Sequence, residues 1–559
     1  MPSQVFTIKI AAPAGLGVKS GGQLLSKALV AHGFNIKDYN EYPSLVRGGH
    51  NTYQVSACID KIYAPHFSVD LFFSVQSGHW QPHVDEFHDD SLIFGDEPFE
   101  NTSTKGHYIN LPIKELSTSV GNNLVGNTIC LGVAAFLLGL STEIAKNSIT
   151  SQYGKNAEIN HQAFNVGYTY AKNNYSQFVQ KLNLPKVDNK NGLICDGNES
   201  LGWGFLQSGG NFYAAYPMTP ATGILHFLAE KQKDYKLTVL HPEDEIAVAN
   251  IGAGAAFAGA RVAVGTSGGG FVLMDEAISF CGIAEIGMVY YLVSRPGPAT
   301  GLPTWTAQGD LLHAIYAGHG EFPKIVLAPG SHQECFDFSA LALNLAAQLQ
   351  TPIIVLSDKY LGESCSNVAD FSKSKVAIEE GSVVKAPDNN FRRYSLKTQS
   401  GVSPLTLPGT VNGEFLSNSY EHDERGFSTE LPEMSKQMME KRMTKLKTAL
   451  DLLPGPMLYG NTNAKKLIIS WGSTTQPVLE ALKNLPDYAF LQIRSLWPIG
   501  QEVSNIVEKY QSVAVIEANQ TGQLTTLLKS QFNFHPTSQI LKFNGRPFYP
   551  EEIAKLLTL

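Results

Sequence analysis

The stretch Arg261–Glu276, RVAVGTSGGGFVLMDE, decides the fold. An apolar, β-prone run stops at Gly265, a glycine-rich turn follows, and apolar residues then continue at helical spacing into AISFCG. That order is strand, loop, helix. The same unit occurs three more times around it. NFYAAY (Asn211–Tyr216) runs into PMTPATG, KLTVL (Lys236–Leu240) into HPEDE and a Gly/Ala-rich helix, and MVYYLVS (Met288–Ser294) into RPGPATGLPT. Repeated units of this kind build a parallel sheet, and right-handed crossovers place every post-strand loop on one edge. Polar groups from four loops then converge on one crevice.

Outward from this segment the alternation continues on both sides. Toward the N-terminus, VFTIKI (Val5–Ile10) reads as a strand, GLGVKSGG (Gly15–Gly22) as a glycine loop, and QLLSKALVAHG as a helix closed by Gly33. LVGNTICLGVAAFLLGL reads as a buried helix and HQAFNVGYTYAKNNYSQF as a more amphipathic one. KLNLPKVDNKNGLICDGNES (Lys181–Ser200) is polar and broken by Pro, Asn and Gly, which predicts an interdomain linker. From about Lys385 to Gly460 the alternation stops, which fits a long connector or a wrap around another subunit. It returns with KLIISWG, AFLQIRSLWP and SVAVIEANQTGQL, which predict a last compact α/β domain.

The chain has 559 residues, and at roughly 150 residues per domain three or four domains fit. Charged residues make up 16% of the chain, which argues against a disordered or heavily solvated protein. The net charge of -8 disfavours non-specific nucleic-acid binding, which needs a positive field. Cys58, Cys130, Cys195, Cys281, Cys335 and Cys365 form no C-x-x-C pair. A disulfide scaffold, a zinc ribbon and an iron–sulfur cluster held by this chain alone are disfavoured, and buried free thiols are expected. No secretory signal is visible. The most apolar stretches, Thr128–Leu140 and Ile246–Ala260, are short of the ~20 residues that span a bilayer. A soluble cytoplasmic protein is the expectation.

Several groups can carry chemistry, and each has a plainer reading. GLGVKSGG suits an anion at a helix N-terminus but lacks the Walker A and dinucleotide spacings, so a tight structural turn is favoured. Arg47 could bind an anion or a neighbouring subunit, or sit in solvent. In HPEDE, at least one of Glu243, Asp244 and Glu245 is expected to cap the helix. Glu245, nearest the apolar helix, would be carried inward, where burial raises a carboxyl pKa and lets it hold a proton. Arg295, at a strand end, suits bidentate capture of a carboxylate or a structural ion pair. Thr219 lies between Pro217 and Pro220, so its hydroxyl is pinned for a ligand or for helix capping. TSGGG (Thr266–Gly270) permits close approach or is a plain turn. EHDE (Glu421–Glu424) fits no strong metal motif, and a solvated loop is favoured.

Taken together, YPMTP, EDEIAVANIGAGAAFAGARVAVGTSGGGFVLMDE, SRPGPATGLPT, TAQGDLLHAIYAGHGE, EHDERG and EANQTGQL resemble the alpha subunit of the 2-oxoacid:ferredoxin oxidoreductases. GLGVKSGGQLLSKAL and EYPSLVRGGHNTYQVS are similar to that family's gamma subunit, in the order of the fused gamma–alpha form. The resemblance implies an α/β, multidomain chain: a gamma-type domain over 1–185, a parallel-sheet thiamine-diphosphate pyrimidine-type domain over 194–384, a connector over 385–460, and a transketolase-C-like α/β domain over 461–559.

It also implies oxidative decarboxylation of a 2-oxoacid with coenzyme A, electrons passing to ferredoxin. Substrates implied are 2-oxoglutarate or a broad 2-oxoacid range, with pyruvate or an aryl pyruvate as alternatives. A different class, a non-catalytic nucleotide-binding scaffold, would use the glycine loop instead. Glu245 matches the glutamate that bonds the aminopyrimidine. Tyr216, Pro217 and Thr219 match a YPITP-type cofactor loop with Met218 in place of isoleucine. By the same resemblance, Thr219 is expected to contact substrate and cofactor, and Arg295 to hold the substrate carboxylate. Pro296 and Ala299 replace the glycine and serine of the family's RGGPSTG-type loop. No G-D-G with a downstream Asn pair is present, so a separate beta subunit is expected to carry the diphosphate site, magnesium and an iron–sulfur cluster. No metal ligand is expected in this chain, and neither nucleic acid nor membrane is an expected partner.

Overall fold

The protein is described by a computed structural model covering residues 5–45, 48–96, 105–181 and 193–558. Arg47 and residues 182–192 of the expected linker lie outside them. The chain forms two compact units. One contains the described residues up to Cys195 together with Ser364–Asp370 and Tyr549–Lys555; the other contains Asp196–Glu363, Phe371–Phe548 and the C-terminal end.

The first unit is built on an eight-stranded sheet. Strand Phe6–Ala14 runs antiparallel to Gly48–Cys58 and parallel to Val69–Ser74. Strand Cys365–Val368 joins the sheet beside Asn35–Glu41, so a late piece of chain completes an early domain. Cys365 N–H bonds the Asp38 carboxylate at 2.6 Å there. Helix Gly126–Leu137 is buried almost all round, as its unbroken apolar run predicts. The glycine loop is a turn plus the first turn of helix Val18–Ala31. Asn127 donates to the Gly17 carbonyl at 2.6 Å, and a methyl group at Gly21 would lie 2.8 Å from Asn127 Cβ. Close packing therefore accounts for small residues in this loop.

A chain of three histidines crosses the first unit. Lys9 donates to both Glu86 oxygens, at 2.9 and 2.7 Å, and Glu86 also meets His83 Nδ1 at 2.8 Å. With His83 neutral and donating there, its Nε2 accepts from His50 Nε2 at 2.7 Å, which leaves His50 Nδ1 to accept from His79 at 2.8 Å. Burial, with His83 beside it, pushes the His50 imidazole down to about 4 from its ordinary 6.5. Between those values the unfolded chain binds a proton that the folded chain refuses, so stability falls as pH drops through that window. Hydrogen exchange over Gly48–Cys58 should quicken from pH 6.5 toward 4 beyond the intrinsic pH effect. His50→Gln should flatten that slope; the same slope in both proteins would contradict the assignment.

The second unit carries a seven-stranded sheet in the order Ser495–Trp497, Ile325–Leu327, Pro352–Asp358, Met288–Ser294, Val262–Thr266, Phe212–Ala214, Thr238–Leu240. Every neighbour pair is parallel except the first. The four strands read from the sequence are thus contiguous, with their following loops on one edge. Helix Glu245–Phe257 lies on this sheet, and its small residues allow that approach: a methyl group at Gly252 would sit 2.8 Å from Met288 Sδ. A five-stranded sheet built around Lys466–Trp471, Tyr488–Ile493 and Ser512–Glu517 follows. AFLQIRSLWP divides between them: Tyr488–Ile493 stays in the smaller sheet, while Ser495–Trp497 crosses to the larger. A single apolar core runs under both, from Val264 and Leu292 to Ile469 and Val515.

Two expectations need correction. The end of the predicted linker is ordered structure: Leu193–Asp196 is a strand and Gly197–Gln207 a helix. The polar DGNE reads instead as a capping box, in which Asp196 accepts from Glu199 N at 2.8 Å and Glu199 accepts from Asp196 N at 3.2 Å. EHDE is no solvated loop either. Glu421 takes both Arg442 nitrogens, at 2.9 and 2.6 Å, and His422 is buried. The connector packs on its own unit through helix Pro432–Leu450, which buries Lys441, Arg442 and Lys445. Among the described residues no helix is long and apolar enough to cross a membrane, and no group of three His, Cys, Asp or Glu is arranged to hold a metal. All six cysteines are free and buried.

Candidate active site

The three acids of HPEDE part company at the helix entry. Glu243 stays exposed. Asp244 is the N-cap, its side chain accepting from Ala247 N at 2.7 Å. Glu245 begins the helix and is buried, 4% exposed. Its Oε1 is enclosed and bonds no other protein group. A buried acceptor without a donor is costly, about 1–3 kcal/mol, unless a ligand supplies one.

TSGGG lies against this carboxylate. A methyl group at Gly270 would overlap Thr266 Oγ1 and stand 2.5 Å from Glu245 Oε1. Glycine is therefore required there by space. Thr266 Oγ1 is in turn 3.8 Å from Met218 Sδ, which brings the YPMTP loop to the same place. The Ser267 hydroxyl beside them is buried and unpaired.

Thr219 and Arg295 meet directly: Arg295 Nη1 donates to the Thr219 carbonyl at 2.7 Å. The Thr219 hydroxyl is not used as a helix cap, because helix Thr222–Lys231 starts after Ala221 without a side-chain cap. Arg295 is partly buried, and that burial lowers the pKa of its guanidinium against the opposing pull of Asp310. Burial raises the Asp310 carboxyl above its ordinary 3.8, against His313 and Arg295. Tyr216 and Pro217 lie on the outer face, where Tyr216 meets His241 edge-on at 5.7 Å. Ala299, in the departing part of the Arg295 loop, adopts φ 52°, a left-handed backbone more easily held by glycine.

Glu245, Thr266, Met218, Thr219 and Arg295 thus form a connected set at the sheet edge. Sequence reasoning missed two members. Asp310 stood in a quoted motif but only the fold brings it to Arg295. Asn198, 1% exposed, donates to the Pro220 carbonyl at 3.0 Å and holds the YPMTP loop from behind. Its place in DGN, next to a capping residue, was the available clue.

Known proteins match this chain over both of its units. The family model described as pyruvate ferredoxin/flavodoxin oxidoreductase matches residues 7–170. That described as pyruvate flavodoxin/ferredoxin oxidoreductase, thiamine diphosphate-binding, matches residues 204–441. The chain is 32% identical to subunit alpha of 2-oxoacid:ferredoxin oxidoreductase 2 from Aeropyrum pernix, over 98% of this chain and 96% of that one. It is 28% identical to the 2-oxoglutarate synthase subunit KorA of Methanothermobacter thermautotrophicus, over 65% of this chain and 96% of that one. Its fold is similar to that of 2-oxoglutarate:ferredoxin oxidoreductase from Magnetococcus marinus, solved with 2-oxoglutarate, coenzyme A and succinyl-CoA bound. There the TM-score is 0.92 and the identity 28%, over 99% of both chains. A relative matched along nearly its full length, and family models falling on both units, show that the chain belongs to the alpha subunits of the 2-oxoacid:ferredoxin oxidoreductases.

Proposed function

We propose that this chain, with gamma-type and alpha-type parts fused, works with a separate beta subunit to convert a 2-oxoacid, coenzyme A and two oxidised ferredoxins into acyl-CoA, carbon dioxide, two reduced ferredoxins and a proton. The observation that carries the reading is the enclosed, unpaired Glu245 Oε1 facing a glycine. An aminopyrimidine offers a ring nitrogen that exchanges a proton with such a carboxyl, so thiamine diphosphate fits the residues present. When bound, that cofactor supplies a nucleophilic carbon and an electron sink. Glu245 holds the proton at Oε1 and promotes the imino form of the ring. Met218 and Thr266 wall the ring, and the missing Cβ at Gly270 leaves room for the Thr266 hydroxyl and the Glu245 carboxylate beside it. Thr219 and Arg295 orient the oxoacid, the guanidinium taking its carboxylate.

The diphosphate, magnesium and iron–sulfur sites are assigned to the beta subunit, because this sequence carries neither the G-D-G element nor a C-x-x-C pair. The site edge itself supports a partner there. Tyr216, Leu240, Ile246, Val272, Leu273 and Leu302 expose apolar side chains around the post-strand loops, Ile246 by 51% and Val272 by 53%. Grouped exposed apolar residues mark interaction surfaces. 2-Oxoglutarate is the substrate favoured by likeness to the Magnetococcus marinus enzyme, ahead of pyruvate and aryl pyruvates.

Co-expression with a beta subunit of this family tests the reading. The complex should reduce a viologen or ferredoxin only with thiamine diphosphate, a 2-oxoacid and coenzyme A all present. A stable complex that works without thiamine diphosphate, or binds nucleotide and catalyses nothing, would overturn it. Arg295→Ala should raise KM for the oxoacid by about ten- to a hundredfold, the worth of one charged hydrogen bond, with a smaller change in kcat. Unchanged oxoacid kinetics would remove Arg295 from the site.

A further inference from the structure

A cavity of about 380 Å³ opens at the opposite end of the seven-stranded sheet from Glu245. Its floor is the start of strand Val262–Thr266 and the turn Ala284–Gly287 that leads into Met288–Ser294. The stretch from Ile378 to Phe415, which runs into the connector, roofs it. Phe257, Ile286, Leu343, Leu407 and Phe415 give it apolar walls.

One wall is charged in an unbalanced way. Arg393 lines the cavity and is 2% exposed. Its Nη2 donates to the Glu285 carbonyl at 2.8 Å, while Nε and Nη1 bond no other protein group. The Glu285 carboxylate is already shared by Lys441 and by Lys445, the latter at 2.6 Å. Three buried cations therefore face a single buried carboxylate. The neighbouring Arg442 does not alter this, since Glu421 neutralises it. At the mouth stand Arg261, Lys385 and one more acid, Glu380. Burial lowers the pKa of both lysines, that of Lys445 to about 7, so near neutrality Lys445 sheds part of the excess as a proton. Arginine cannot relieve it by losing a proton. The Arg393 guanidinium lies over the Tyr394 and Phe415 rings, 4.8 and 5.7 Å from their centres, and an anion in the cavity would relieve the remaining excess and give Nε and Nη1 hydrogen-bond partners.

We propose that this cavity is a second ligand site, distinct from the coenzyme pocket, for a small carboxylate carried on an apolar body. The carboxylate pairs with Arg393, and the body fills the space between Phe257, Leu343 and Phe415. Phosphate esters fit worse, because the walls offer few donors beyond the charged side. The occupied site ties the connector to the sheet, at a place the 2-oxoacid substrate does not reach. This inference stands apart from the proposed function, since it uses none of the residues assigned there.

Calorimetric titration of the full chain with 4-phenylbutyrate, and with its neutral amide, tests it. The carboxylate should bind once per chain with Kd below about 1 mM, and about ten- to a hundredfold more tightly than the amide. Hydrogen exchange over residues 376–415, the stretch that roofs the cavity, should slow when it is bound. Ala347→Phe, which puts a ring into the cavity from helix His332–Leu349, should abolish binding in a folded protein. Arg393→Met should weaken the carboxylate but not the amide. No saturable binding, equal binding of acid and amide, or undiminished binding by Ala347→Phe would each overturn the proposal.

Discussion

Glu245→Gln in the assembled enzyme should lower kcat by about 10²–10⁴-fold, the usual worth of a positioned proton-transfer group, and leave the chain folded. The fold survives because Asp244, not Glu245, caps the helix, and because glutamine keeps the shape of the buried side chain. The loss arises at Oε1, which alone at this position can take up or release a proton toward a bound ring. Glutamine can still hydrogen-bond but cannot titrate, so thiamine diphosphate binding should weaken far less than turnover. Steady-state rates and a cofactor titration on the same preparation separate the two effects. Near-parental turnover would remove Glu245 from the proton-handling role. Gly270→Ala offers a steric route to the same end, since its methyl group competes with Thr266 and Glu245 for one space.

The largest stability effect is expected far from that site. Glu285→Gln should destabilise the connector helix Pro432–Leu450 by about 3–5 kcal/mol, the cost of leaving buried charges uncompensated. Glu285 is fully buried and answers Lys441 and Lys445 together. Burial alone would raise its carboxyl pKa, but Lys445, Lys441 and Arg393 outweigh that and hold it well below the ordinary 4.5. The sign of the pH dependence follows. The unfolded chain takes up a proton as pH falls through 4.5 while the folded chain does not, so the contribution is full above that value and lost below it. Hydrogen exchange over Pro432–Leu450 should quicken in the variant by about 10²–10⁴-fold at neutral pH, matching that free energy. Exchange within a few fold of the parent would mean that the lysines are not held by this acid.

What could be read from the sequence was what depends on local pattern. The strands of the central sheet are short apolar runs ended by glycine or proline, and four of them fall side by side as the repeated unit requires. The burial of Glu245 was expected from its place at the entry of the apolar, small-residue run IAVANIGAGAAFAGA, although that run does not itself say which side of the helix faces the sheet: Ile246 and Ile251 stay exposed. What was not legible depends on distant chain. Nothing local in Ser495–Trp497 says that it leaves Tyr488–Ile493 to pair with Ile325–Leu327. Nothing in Cys365–Val368 says that it completes a sheet begun at Phe6. Asp310 meets Arg295 only after the sheet has formed, and EHDE looked solvated because Arg442, its partner, lies some twenty residues on. DGNE was mistaken for linker because polarity alone does not distinguish a cap from a loop.

On the proposed reading, this chain builds the pyrimidine half of a coenzyme pocket whose diphosphate half lies on another subunit. A thiamine diphosphate titration of the chain alone, the beta subunit alone and the two combined tests it most directly. Tight, magnesium-dependent binding in the combined sample, with far weaker binding to either component, is the expected result. Equally tight binding to the isolated chain, or none to the complex, would contradict it.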